Sequence, residues 1–289
     1  MTVPRLPRSA VSPLLVCTLG VLLLLPISVA GQAASVAPAS SPPTTLTSDA
    51  EREQFLARAR VVRTRPAPKG VTNTMRVTLR DGTIEHDASI QSIDQHRMVF
   101  ETPQGTELNF KDSWRFNVAA YRIDRLLKLG MIPTTVARRH ATREASFTWW
   151  VDEVLMDEQE RYRQKHSAPD SDDWNQQMWI TRLFDQLIAN VDRNLGNLII
   201  DARWNIWMID HSRAFRTNAA LRSPGNLSKV DRDLLDRMRQ MDEQSVRGAV
   251  GKYLTGDEID ALLKRRDRIV EHFQARGTAA MFDRKARCC

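Results

Sequence analysis

Apolar positions change their period along this chain, and the changes divide it into segments. From Val11 to about Leu25 they run almost unbroken behind Arg5 and Arg8, and the small-x-small triplet Ser28-Val29-Ala30 follows. This is the form of a signal peptide over residues 1–30, and it predicts export to a periplasm, an extracellular space or a secretory lumen. The competing reading is an uncleaved membrane anchor, since Ala10 to Ala30 is nearly long enough to span a bilayer; Pro13, Pro26 and the tail that follows favour cleavage. Residues 31–64 begin rich in Ala, Ser, Pro and Thr without periodicity and predict a flexible linker. One short helix is expected over Ala50 to Val62, closed by Arg65-Pro66-Ala67-Pro68.

Between Met75 and Phe110 the period becomes two. Arg76-Val77-Thr78-Leu79-Arg80 alternates, Asp81-Gly82 is a hairpin turn, Ile84 to Ile93 returns, and Met98 to Phe110 gives a second hairpin around Pro103-Gln104-Gly105. A helix follows with Val118, Ala119, Ile123, Leu126 and Leu127 on one side, capped at Asp112-Ser113 and ending at Lys128-Leu129-Gly130. Thr134 to Val136 and Phe147 to Val151 read as further strands. After Val151 the pattern turns helical, with an exposed charged helix from Glu153 to Lys165 and a stripe formed by Trp174, Met178, Leu183, Phe184, Leu187 and Ile188. Capping boxes at Ser228/Asp231 and Thr255/Glu258 open two C-terminal helices. The expectation is an α+β fold of two lobes: a small antiparallel-sheet lobe with one helix over residues 65–152, and a mainly helical lobe over residues 153–285.

Composition removes several functional classes. At 42% hydrophobic and 27% charged the chain is an ordinary globular protein, and its net charge of +7 falls to about +5 once Arg5 and Arg8 leave with the signal. The basic residues are dispersed and no basic run is interleaved with aromatics, so no nucleic-acid partner is expected. Cys17 lies in the signal and Cys288-Cys289 at the C-terminus, which excludes a disulfide framework. The six His have no metal-ligand spacing, and nothing around His211-Ser212 resembles a nucleophile elbow, so a zinc enzyme and a triad hydrolase are both set aside.

What remains is the stretch Asp192-Arg193-Asn194-Leu195-Gly196-Asn197, entering the apolar run Leu198-Ile199-Ile200, with Trp207-Met208-Ile209-Asp210 beyond it. A polar loop and two short strands would bring Asp192, Asn197 and Asp210 to one point. Phosphoryl transfer needs such a set: one carboxylate to orient the attacking hydroxyl, and an amide oxygen with a second carboxylate to hold Mg²⁺ or Mn²⁺, for which hard oxygen ligands are suited.

These blocks, together with Ala119-Ala120-Tyr121-Arg122-Ile123-Asp124-Arg125-Leu126-Leu127, Ile132-Pro133-Thr134-Thr135-Val136 and Ile209-Asp210-His211-Ser212-Arg213-Ala214-Phe215, make the chain resemble the atypical kinases of the protein-kinase-like superfamily. It is most like the secretory-pathway (Golgi casein kinase-like) group and more distantly like HipA-type and phosphoinositide kinases, over roughly Gly70 to Phe273. The resemblance implies Asp192 as the catalytic-loop acid, Asn197 and Asp210 as metal ligands, and ATP or another nucleoside triphosphate as cofactor. It also implies a hydroxyl-bearing acceptor on a protein, glycan or lipid headgroup.

The departures are as informative. The resemblance puts Gln91 where active kinases carry a strand Lys and Asn117 where they carry the helix Glu, so both charges are replaced by amides that can hydrogen-bond to each other. The phosphate loop has one glycine, Gly70, with Thr72 as a hydroxyl donor; Arg76 is the nearest side chain able to replace the lost cation. Three readings follow: a kinase, a pseudokinase acting as a binding or regulatory partner, and a nucleotidyl transferase that uses the same metal ligands.

Overall fold

The computed structural model describes residues 46–67, 74–102, 105–285 and 287. The signal segment, Gly70, Thr72 and the three Cys lie outside the described residues. The first helix, α1 (Asp49–Arg58), is opened by a capping box in which Ser48 accepts from Glu51 N and the Glu51 carboxylate accepts from Ser48 N. It buries Phe55 and Leu56. Strands β1 (Arg60–Pro66), β2 (Met75–Asp81) and β3 (Ile84–Gln91) follow as antiparallel neighbours. The folded region therefore starts well before Arg65. Pro66 ends an edge strand, where its missing N–H breaks no inner ladder.

A separate ribbon, β4 (Asp94–Thr102) with β5 (Gly105–Ser113), leads into α2 (Trp114–Leu127), whose cap is Ser113 alone, accepting from Arg115 N. Asp112, expected to share that role, does not cap. Lys128 then turns left-handed and ends the helix. Strands β6 (Thr135–His140) and β7 (Arg143–Trp149) complete a five-stranded sheet in the order β1-β2-β3-β7-β6. One face, with Val77, Leu79, Ala88, Ile90, Ala145 and Phe147, packs against α1 as one core. By the period of two, Arg76, Thr78, Asp87, Ser89, Gln91, Ser146 and Thr148 form the other face, which is polar.

Val154–Asp157, expected to be helical, is a strand, β8; Asp157 caps the short helix α3 (Glu158–Gln164) that carries the charged residues. Next come α4 (Ser171–Leu187), β9 (Leu198–Asp201) and β10 (Ile206–Met208), and β8, β9 and β10 form a second antiparallel sheet. The C-terminal part has β11 (Val230–Asp231) and three helices, α5 (Arg232–Gln240), α6 (Glu243–Val250) and α7 (Gly256–Arg276), before β12 (Met281–Phe282) pairs with β11. Thr255 and Glu258 make the expected capping box. Ser228 does not cap, because Asp231 itself accepts from Leu234 N.

The larger core joins α2 to the helical part: Phe116, Ala120, Ile123 and Leu127 pack with Ile180, Leu183, Phe184, Met208 and Phe215. The helix expected as part of the first lobe is thus buried in the second. Among the described residues no helix is long and apolar enough to cross a membrane.

Candidate functional site

Arg193 organises the polar loop. Its Nε and Nη2 donate to both oxygens of Asp185 at 3.0 Å, and its Nη1 donates to Asn197 O at 3.1 Å and Ile209 O at 2.9 Å. Ile209 N donates back to Asn197 O at 3.1 Å. One guanidinium therefore ties the end of α4, the Asn197 turn and the residue before Asp210 into a single unit. Arg193 and Asp185 are largely buried, so their charges compensate each other away from water.

Asp210 itself has φ of 53°, a left-handed conformation that a non-glycine residue holds only when its surroundings impose it. On one side Ile209 is fixed by Arg193. On the other, His211 N donates 2.7 Å to Asn117 Oδ1 on α2. Asn117 Nδ2 donates to Gln91 Oε1, and Gln91 Nε2 reaches Asp210 Oδ1 at 3.3 Å. The two amides thus join the sheet, α2 and the Asp210 segment without a formal charge.

Asp192 is half-exposed, its backbone N–H bound to Asn190 Oδ1 at 3.2 Å, and Arg213 Nη1 lies 3.7 Å from its carboxylate. Arg213 and Arg216 both pair with Glu107 on β5 at 2.5 Å and lie over the Phe110 ring. Arg76 is on the sheet face that carries Gln91, but its charge is engaged: it pairs with Asp87 at 2.6 Å and stacks over Trp150. Burial pushes Asp87 up, yet the Thr78 hydroxyl and Arg76 hold it below the usual carboxylate value.

His211 is fully buried, and burial together with the Arg193 charge keeps it well below the ordinary histidine value. It is therefore neutral, with Nε2 accepting from Arg193 Nη2 at 2.9 Å. The unfolded chain takes up a proton near the ordinary value of 6.5 that the folded chain refuses, so this residue withdraws stability as pH falls below that point. The loss steepens as pH falls and approaches about 1.4 kcal/mol per pH unit once the unfolded imidazole is fully protonated. Denaturant midpoints at several pH values from neutral downward check this; His211→Gln should flatten the slope, and an unchanged slope would refute the assignment.

Neither Asp185 nor Glu107 was singled out in the sequence, and Arg213 and Asp112 were given no part in the site. Only Arg213 carried a local signal, its place three residues after Asp210; the others are brought in by tertiary contacts. A cavity of about 800 Å³ lies apart from this cluster, lined by Asp49, Arg125, Trp149, Asp201, Arg284 and Arg287 among others, and none of Asp192, Asn197 and Asp210 lines it.

An antiparallel sheet with a polar inner face, a helix joined to it by Gln91 and Asn117, and a strapped loop ending in a left-handed Asp define an atypical kinase-like fold. No protein-family model and no curated protein sequence matches the chain. Among solved structures it is similar to hydra Fam20 with sugar, at a TM-score of 0.61 and 16% identity, covering 83% of this chain and 94% of that one. It is also similar to the Golgi casein kinase with Mn/ADP bound, at a TM-score of 0.57 and 13% identity, covering 81% and 78%. At these identities the likeness shows the fold.

Proposed function

We propose that this chain is an exported kinase-like phosphotransferase that uses a divalent-metal nucleoside triphosphate, such as ATP, to phosphorylate a hydroxyl-bearing acceptor. The observation that carries the proposal is the Arg193 tie, which holds Asn197 beside Ile209 and so brings the Asp192 loop and Asp210 into one rigid unit. Asp192, half-exposed at the front, accepts a hydrogen bond from the acceptor hydroxyl and orients it. Asn197 and Asp210 offer hard oxygens that fit Mg²⁺ or Mn²⁺; the bound ion would neutralise phosphate charge. Support comes from two similarly folded proteins, one with Mn/ADP bound and one with sugar, the latter keeping a glycan among the acceptor classes.

The second reading is a pseudokinase that acts as a partner of another protein. It is favoured by the neutral Gln91–Asn117 pair and by the engagement of Arg76 with Asp87, which draws that cation away from a phosphate. Incubation of purified protein with ATP labelled at the γ position, with Mg²⁺ or Mn²⁺, separates the two. The expected result is label on the protein or an added acceptor, lost in Asp192→Ala. Label arriving from the α position alone would mean nucleotidyl transfer. No label, with no metal-dependent thermal stabilisation by ATP, would leave only the interaction reading.

A further inference from the structure

We propose that Asp112 is a further acidic ligand of this site, holding a divalent cation jointly with Asp210, so that a metal ion supplies the positive charge that Gln91 and Asn117 do not. The inference rests on the reading of Asp210 as a metal ligand and adds a residue from a different element.

Asp112 sits at the end of β5, one residue before the Ser113 cap, and is 6% exposed. Its Oδ1 has no hydrogen-bond partner among the described residues. Burying a carboxylate oxygen without a partner is costly, and a bound ion is one of the few things that offsets that cost. Ser212, two residues beyond Asp210, is close enough to this carboxyl to offset part of the effect of its burial.

The strand is pinned against the Asp210 segment in two places. Ser113 N donates to Ser212 O at 2.8 Å, and Glu107 farther along β5 grips Arg213 and Arg216 at 2.5 Å. The position of Asp112 is therefore imposed by the fold and not by the flexibility of its side chain.

The charges around it do not balance. Burial raises the Asp112 carboxyl above its ordinary value, and the Asp210 and Asp192 charges add to the effect. Four acids (Asp112, Asp192, Asp210 and Glu107) meet two cations (Arg213 and Arg216), both of them already paired with Glu107. Arg193 is taken by Asp185, His211 is neutral, and Gln91 and Asn117 are amides. Positive charge is short at this cluster, and a divalent cation would supply it. Among the described residues no three His, Cys, Asp or Glu side chains are grouped to hold a metal on their own. Two carboxylates with phosphate oxygens and water completing the shell is the way Mg²⁺ and Mn²⁺ bind in nucleotide sites.

The test is Mn²⁺ binding to the full chain, followed by electron paramagnetic resonance or calorimetry with and without ATP, in wild type, Asp112→Asn and Asp210→Asn. Thermal unfolding of each metal-free protein is recorded alongside. Asp112→Asn should weaken Mn²⁺ binding tenfold or more, or remove one bound ion, while raising the metal-free melting temperature because an uncompensated buried charge is gone. Wild-type Mn²⁺ binding by Asp112→Asn overturns the inference, and so does a lower metal-free melting temperature, since Asp112 would then be a structural partner of Ser212. If Asp210→Asn loses Mn²⁺ while Asp112→Asn keeps it, the inference fails and the reading of Asp210 stands. If the wild type takes up no Mn²⁺ under either condition, both fail.

Discussion

Replacing Arg193 by Leu should destabilise the folded protein by about 3–5 kcal/mol. The substitution removes the partner of Asp185, whose side chain is only 12% exposed, and leaves that carboxylate charged and unpaired. It also strips donors from Asn197 O and Ile209 O and from Nε2 of His211. A companion variant separates charge from geometry. In Arg193→Leu/Asp185→Leu both partners are apolar, so a good part of the stability returns, whereas the Arg193 bonds to Asn197 O and Ile209 O stay lost and the Asp192 loop stays loose. Urea unfolding measures the first effect and ATP-dependent labelling the second. A single variant within 1 kcal/mol of wild type would show that Arg193 is not the tie described, a bound well below the cost expected for breaking a buried pair.

The second large effect is expected from recharging the amide pair. Asn117→Glu alone places a carboxylate next to Asp210 and removes the donor to Gln91 Oε1, so it should cost about 1–3 kcal/mol. Gln91→Lys alone brings an ammonium to Asp210 and should hold that carboxylate away from metal. Together the two changes can satisfy each other across the same gap, and the double variant should recover about 1–3 kcal/mol relative to the sum of the singles. Its transfer rate should exceed that of either single variant, because a lysine positioned by its partner adds charge at the phosphates. Additivity in a double-mutant cycle, to within about 0.5 kcal/mol, would contradict the contact.

The local signals of the chain carried the elements that surround this cluster. Asn197 immediately precedes β9 and Asp210 follows β10, the two short strands whose apolar runs were contiguous in the chain, and the Gln91–Asn117 pairing that the resemblance implied is a direct contact. What escaped depends on distant pairing. β1 was read as the end of a helix, the linker and a proline break, because Arg65-Pro66-Ala67-Pro68 interrupts the pattern, and only its ladder with β2 makes it a strand. β8 was read as helix because Val154 to Asp157 has no turn signal to separate it from the charged helix, and β9 supplies its partner. α6 has just Val246 and Val250 buried, too little periodicity to stand out. Asp112 was read as a cap because it precedes Ser113; its neighbour Ser212 comes from far along the chain, and no local pattern announces it.

The burial of α2 in the larger core limits how this molecule can be controlled. In a two-lobed protein the helix behind the cleft is the natural part to swing in or out. Here Phe116, Ile123 and Leu127 are each less than 5% exposed, and Phe116 lies 5.6 Å from the Phe215 ring beyond the Asp210 segment. Pulling the helix away would expose side chains worth about 1.5–3 kcal/mol each and would carry Asn117 off His211 at the same time. The helix and the acid segment accordingly travel as one body.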